Sequence, residues 1–516
     1  GFTWYLVWRP WHPQAFVGKI DISGVFFKRR YPIARFIICS SWCIRLRPMR
    51  FVLCTLLVVY LAPALAQRVE GYRPEPVNQE AVLPSSKPIP TEVEIFGLPV
   101  NWHAQTTYIN QRYPGFNAPY SGANSLSKNP SMSYTWTGTL FLGARLATNT
   151  DIYFNPEVIS GVPFSGLVGL GGLSNGEANK AAGSQAKFYS ARAFLRQTIN
   201  QEGEKVFLED EANQIAQTVS SKRVVITAGQ FSLLDVFDDS RYAKDPRTQF
   251  LNWGNLTYLA YDYAADSRGY GWGLAGEWYL ENWVLRAARM TAPKTPNGLA
   301  VDWNILNNYG DQIEIERGHA ISNLPGKVSV LAYRNKMVLA RFADATNYVI
   351  QNNAQGTQAI NNVRTNSQFK TGFGVNAEQA ITKNMGVYMR AFRSDGQTET
   401  MAFAEADYSI AIGTGINGRS WKRPDDTLGV SIMRNGLSDA RKQYLQAGGI
   451  SFFIGDYAGP TQTISYKPEQ IGEVYYNISV IRNVLVGLNY QHIQNPAYNA
   501  ARGPVNILSF RIHAEY

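Results

Sequence analysis

From residue 93 onward, apolar and polar side chains alternate in segments of about ten residues, separated by clusters of Gly, Asn, Asp and Pro. A period of two places each set on one face of a sheet. In 189–196, Tyr189, Ala191, Ala193 and Leu195 are expected on one side, with Ser190, Arg192, Phe194 and Arg196 on the other. In 369–378, Phe369, Thr371, Phe373, Val375 and Ala377 oppose Lys370, Gly372, Gly374, Asn376 and Glu378. Met385, Val387, Met389 and Ala391 oppose Tyr388 and Arg390, and Val474, Tyr476, Ile478 and Val480 oppose Glu473, Tyr475 and Asn477. The final strand puts Leu508, Phe510, Ile512, Ala514 and Tyr516 opposite Ser509, Arg511, His513 and Glu515.

The apolar faces must meet either a protein core or lipid. A soluble β-sandwich chain of this length would divide into domains joined by visible linkers, and none shows after residue 93. Aromatic residues instead sit at the ends of apolar faces, as in Tyr270, Trp272, Leu274, Gly276 and Trp278. That stripe spans ~26 Å at ~3.3 Å per residue, or ~20 Å of height at ~40° tilt, which approaches a lipid band of ~25 Å between aromatic girdles. The pattern predicts an all-β fold: a transmembrane antiparallel β-barrel of about 16 strands over 93–516. Barrels of ~16 strands enclose water, so a pore is implied.

Composition agrees with that picture. Only 17% of residues are charged, against ~25% in soluble globular chains, while Gly (44), Tyr (29) and Phe (25) are plentiful. The net charge of +10 does not indicate nucleic acid, because residues 1–66 hold nine of the bases and one acid, Asp21, which leaves +2 for the remainder. All three cysteines, Cys39, Cys43 and Cys54, lie in the same region, so the rest of the chain has neither disulfides nor thiolate chemistry. Met49, Arg50, the uncharged run Phe51–Ala66 and its ending Ala64, Leu65, Ala66 form a signal-peptide pattern over 49–66, with cleavage expected before Gln67. Residues 1–48 read as sequence upstream of the true start, or alternatively as a long basic leader. Residues 67–92, with Pro74, Pro76, Pro84, Pro88 and Pro90, read as an extended tether on the periplasmic side.

Catalytic signatures are scarce. The five histidines (12, 103, 319, 492 and 513) show no metal-ligand spacing, so no metal or other cofactor is expected. GLSNG at 172–176 matches the nucleophile-elbow pattern around Ser174, but its Gly-rich surroundings suit an extracellular or pore-folding loop better than a strand–turn–helix. VFLEDEANQIAQ at 206–217 reads as a short acidic helix between strands. The lumen-facing positions carry more information. Alternation selects Arg192, Arg196, Glu277, Arg286, Tyr388, Arg390, Glu473 and Tyr475 as candidate solute contacts, within a wider set that includes Glu314, Glu378, Gln491 and Arg511. Both charge signs and several rings occur, which suits a neutral polyhydroxylated solute. A merely hydrated wall that passes any small solute fits the same composition.

Specific segments tip that balance. ITAGQFSLLDVFDDSRYAKDPRTQFLNW and YDYAADSRGYGWGLAGEW, within 222–283, resemble the carbohydrate-selective OprB porins. So do WKRPDDTLGVSIMRNGLS at 421–438, YLQAGGISFFIGD at 444–456, YKPEQIGEVYYN at 466–477 and NPAYNAARGPVNILSFRIHAEY at 495–516. The resemblance implies a 16-stranded barrel in the outer membrane of a Gram-negative bacterium, with loops folded inward and small sugars diffusing through. The expected partners are outer-membrane lipids, small sugars and the outer-membrane assembly machinery, the last through the strand ending in Tyr516. The alternatives are a general or ion-selective porin of the same fold and, from another class, a lipid-acting barrel enzyme using Ser174.

Overall fold

The computed structural model describes residues 93–95, 97–181, 183–354, 358–403, 405–456 and 465–516. The expected upstream segment, signal peptide and tether at 1–92 lie outside the described residues. Among the described residues, sixteen antiparallel strands form the closed barrel wall, and a short strand Val93–Ile95 folds back to pair with Leu98–Val100. In chain order they are β1 Leu98–Tyr113, β2 Ser131–Ala147, β3 Thr150–Val162 and β4 Gly183–Asn200. Then come β5 Arg223–Phe231, β6 Gly271–Leu280, β7 Trp283–Thr291 and β8 Tyr309–Ile321. The second half is β9 Leu324–Val338, β10 Ser367–Thr382, β11 Met385–Ser394 and β12 Tyr408–Asn417, followed by β13 Thr427–Gly436, β14 Glu469–Ile481, β15 Val484–Gln494 and β16 Val505–Glu515. Each strand pairs with the next, and β16 returns to β1 in the register Gln105↔Glu515 to Arg112↔Leu508. Closure leaves no open sheet edge along that seam, as a lipid environment requires.

The two ends differ. At one end lie tight turns such as Thr148–Asn149, Ser322–Asn323 and Arg482–Asn483. Asn149, Ser322, Asn323 and Asn483 there adopt positive φ, the twist that a short hairpin needs. At the other end the connections are long, including 163–182, 232–270, 292–308, 339–366 and 437–468. Short periplasmic turns and long extracellular loops are the usual arrangement of an outer-membrane barrel, which sets the orientation.

Faces follow the alternation over most of the wall. Phe369, Phe373, Met389, Val474, Leu508, Phe510 and Ile512 are exposed outward, whereas Lys370, Arg390, Glu473, Arg511 and His513 are buried inside. Three expectations are corrected. The register of β3 against β4 shifts at Asn155/Pro156, so Arg192 faces Asn155 while Ser190 faces Pro156. Ala191 is the extra residue, fully buried, and beyond it the faces exchange. Tyr189 therefore turns inward, its hydroxyl donating to Glu157, while Phe188 points out. Tyr270 likewise leaves the outward stripe: it precedes β6 and is buried, with its hydroxyl accepting from Lys180, so the lipid face of β6 runs from Trp272 to Trp278. The stretch 206–217 is not helical; Lys205–Leu208 pairs with Gln217–Ser220 as a hairpin.

Candidate functional site in the barrel lumen

The wall's inward charges are held by chain that folds inside it. The connection 232–270 between β5 and β6 begins with a capped turn, where Ser232 and Asp235 exchange side-chain and backbone hydrogen bonds. It descends until Tyr242 packs against Gly386, whose Cβ, if present, would overlap the Tyr242 ring. It then climbs back through DPRTQFLNW, and every residue from Gln249 to Ala265 except Leu256 is buried. A buried connection must satisfy its own backbone and polar groups, and here the wall supplies the partners.

Those partners are mostly the residues selected by alternation. Arg390 donates to Asp238 Oδ1 (3.2 Å) and to the Asn255 carbonyl (2.6 Å). Glu473 accepts from the amides of Leu251 (2.6 Å) and Asn252 (3.2 Å) and from the side chain of Asn255 (2.8 Å). Tyr388 donates to Asn255 Oδ1 at 2.6 Å, and Tyr475 meets Phe250 edge-on with centroids 4.8 Å apart. Arg511 donates to the carbonyls of Pro246 and Gln249 at 2.9 and 2.7 Å. Arg192 grips Asp235 with both arms of its guanidinium, at 2.8 and 2.6 Å. Buried charges persist only when compensated: the loop gives Arg390 and Arg192 carboxylates, and it gives Glu473 and Arg511 neutral hydrogen-bond partners.

Arg196, Glu277 and Arg286 have different surroundings. Arg196 donates to the Asn213 carbonyl at the tip of the periplasmic hairpin, whose Ile215 amide also reaches Tyr153 Oη. Asn101 reaches Asp210 of the same tip at 2.7 Å, so chain enters the lumen from the periplasmic end as well. Arg286 joins Glu277, Glu314 and Glu316 within the wall, at 3.2, 2.8 and 3.0 Å. All eight candidates thus face inward. Arg286, Tyr388, Arg390, Glu473 and Tyr475 are buried, whereas Arg192, Arg196 and Glu277 keep part of their surface open.

Alternation could not find the loop's own contributors: Asp235, Asp238, Arg247, Asn252 and Asn255. Arg247 bridges Glu157 (2.9 Å) and Glu177 (3.0 Å), with Lys180 beside both at 3.6 and 3.4 Å. Burial pushes the Glu177 carboxyl up, but Arg247 and Lys180 beside it prevail and hold it below the ordinary value. The signal available in the sequence is a long run, 232–270, that shows no strand period yet is rich in aromatic and aspartate residues.

A second inward segment is the Gly-rich stretch, where Gly169–Ala178 is buried throughout. The amides of Gly171 and Gly172 donate to Glu469 at 2.9 and 2.7 Å, and a Cβ on Gly171 would overlap the Tyr498 ring. Ser174 Oγ donates to Gln111 Oε1 at 2.9 Å, while its carbonyl accepts from Gln111 and Gln491. The described histidines hold other partners: His103 is beside Asp210, His319 beside Gln379, His492 beside Asn506 and His513 beside Thr107. Ser174 therefore serves to seat the loop. Above it, α1 Trp253–Leu256, α2 Phe342–Asn352, α3 Gln358–Val363 and α4 Asp439–Gln446 contribute Trp253, Phe342, Ala345, Ile360 and Tyr444 to one buried cluster with Tyr258, Tyr261, Tyr263, Tyr333 and Phe392.

A closed sixteen-stranded barrel with a lipid-facing apolar exterior, charged interior and inward-folded loops defines an outer-membrane porin. The chain belongs to the carbohydrate-selective porin, OprB family, whose model matches residues 123–516, and it forms an outer-membrane channel for sugars. Its fold is similar to that of Pseudomonas putida OprB in the high-pH structure, at 15% identity and a TM-score of 0.60, covering 81% of this chain and 94% of that one. The low-pH structure of the same protein has a TM-score of 0.42 at 11% identity, with coverages of 81% and 92%. For the DcaP channel of Acinetobacter baumannii the values are 0.48 and 7%, with coverages of 83% and 100%. No curated protein matches the chain in sequence.

Proposed function

We propose that the channel passes glucose-like monosaccharides by diffusion alone, with no catalytic step and no cofactor. The observation that carries this reading is the loop 232–270, held along the lumen by Arg390, Glu473, Tyr388 and Arg192. In this proposal Tyr388, Arg390, Glu473, Tyr475 and Arg286 fix the shape of the passage. Solute hydroxyls meet the groups that retain open surface: Arg192, Arg196 and Glu277 on the wall, with Asp235, Asp239 and Lys244 on the loop. Charged donors and acceptors at fixed spacing bind hydroxyls directionally, yet weakly enough in water to release them, as conduction requires. In a planar bilayer, millimolar glucose should reduce ion current while sulfate and phosphate leave it nearly unchanged. Saturable block by the anions, with no effect of sugar, would favour a general or anion-selective channel.

We propose a route of export and assembly as well. Met49–Ala66 is removed as a signal peptide, so the mature chain starts at or near Gln67 without residues 1–48, and the Pro-rich 67–92 acts as a periplasmic tether. Intact mass of protein extracted from outer membranes tests this, and chains retaining Cys39 and Cys43 would refute it. The assembly machinery recognises β16 through its outward stripe, which Tyr516 completes by stacking on Trp102 with centroids 4.6 Å apart. Tyr516→Asp should lower outer-membrane levels more than conductance per channel.

A further inference from the structure

At the extracellular end of the wall, the outward face of β7–β11 carries a cluster of cations. Arg289 holds Asp311 with both arms, at 2.7 and 2.9 Å, and Arg334 reaches the same carboxylate at 3.0 Å. One carboxylate shared by two guanidiniums leaves several of their ten N–H donors unused. The Arg334 side chain is 53% exposed. Lys336 is the next outward residue on β9, and the Phe369 ring lies 5.8 Å from its ammonium and 5.7 Å from the Arg334 guanidinium. Arg289 stacks over Tyr309 at 4.0 Å, which fixes its plane. Arg393, opposite Phe373 on β10, adds a fourth cation and is itself exposed. The acids alongside are Asp311 and Asp395, the latter bound to Thr371.

Below these groups the outward residues become apolar: Ile313, Ile315, Val328, Val330 and Met389 are exposed toward lipid. The cations therefore sit where the apolar band ends on the side of the long loops, at the level of outer-leaflet headgroups. A lone snorkelling Lys or Arg would need no such arrangement. Guanidiniums fixed by ring stacking and a shared carboxylate match phosphate oxygens in pairs. We propose that this rim binds the phosphate groups of a phosphorylated glycolipid of the outer leaflet, independently of any solute in the lumen.

Native mass spectrometry of the detergent-purified full chain, with a bis-phosphorylated diglucosamine glycolipid as probe, tests the assignment. R334Q/K336Q should retain about tenfold less of the probe than the parent chain, and the dephosphorylated probe should bind both equally weakly. Millimolar inorganic phosphate should not displace the glycolipid; displacement would mean a free-anion site and overturn the proposal. R317Q alters an outward arginine at the periplasmic end, stacked on Trp283, and should leave retention unchanged. Equal loss in R317Q, or full retention in R334Q/K336Q, would also overturn it. Heat-modifiable migration reports folding. If the double variant does not fold, K336Q alone should still lower retention, and an unchanged value would refute the site. Sugar block of the current should persist in every folded variant, which separates this proposal from the solute reading.

Discussion

Among single residues, the Arg390–Asp238 pair shows how the lumen is organised. Both groups are buried, and Asp238 also accepts from Thr257 at 2.8 Å. Arg390→Met strands a carboxylate and should cost about 3–5 kcal/mol of loop anchoring, whereas the double variant with Asp238→Asn should recover much of it. Protease nicking within 232–270 measures that anchoring, and equal nicking in the single and double variants would show that the pair is not coupled. The wall faces can be tested in the same way. Leu195 points to lipid and Arg196 to the hairpin tip, so Leu195→Arg should destabilise the barrel by ~2–4 kcal/mol near the midplane while Arg196→Glu should fold and shift selectivity toward cations. Heat-modifiable migration and reversal potential separate the two effects. Because the Glu177 carboxyl is held below its ordinary value of 4.5, its contribution to loop anchoring is complete above that pH and is lost as pH falls through the lowered value. Cleavage within 163–182 should therefore accelerate only in acid below pH 4.5, and Glu177→Gln should remove the dependence.

The strands were legible in the sequence because a lipid-facing wall obliges side chains to alternate, and Phe369–Ala377 and Leu508–Tyr516 carry that alternation without interruption. Where β4 departs from it, the cause lies on the neighbouring strand. Pro156 has no amide to donate, the β3–β4 register slips there, and Ala191 becomes the extra residue. Nothing within 189–196 signals this, so alternation alone places Tyr189 on the lipid face, opposite to where it lies. The hairpin at 205–220 eluded composition for a similar reason: its acidic tip, Glu209–Glu211, suits a solvated helix as well as it suits a turn seated against Asn101 and Arg196. The seating of the loop 232–270 is the part least legible in the sequence, because partners such as Asp238–Arg390 and Asn255–Glu473 are far apart along the chain. Replacing 239–265 with a short Gly/Ser linker should leave the hydrogen-bonded wall folded and raise single-channel conductance several-fold. Unchanged conductance would show that the loop does not narrow the passage.

At the scale of the molecule, wall and filling are interdependent. The wall contributes charges that could not remain buried alone, and the loops contribute backbone amides, carbonyls and amide side chains that could not remain buried without them. An outer-membrane channel built this way selects by geometry, since a solute must fit beside the loop and exchange its hydration for the polar groups left open. The most direct measurement is single-channel current through the purified chain as glucose is titrated, alongside a trimmed-loop variant lacking 239–265. Saturable reduction of current in the parent, lost when the loop is trimmed, is the expected result. Identical insensitivity to glucose in both channels would contradict a sugar-selective passage shaped by that loop.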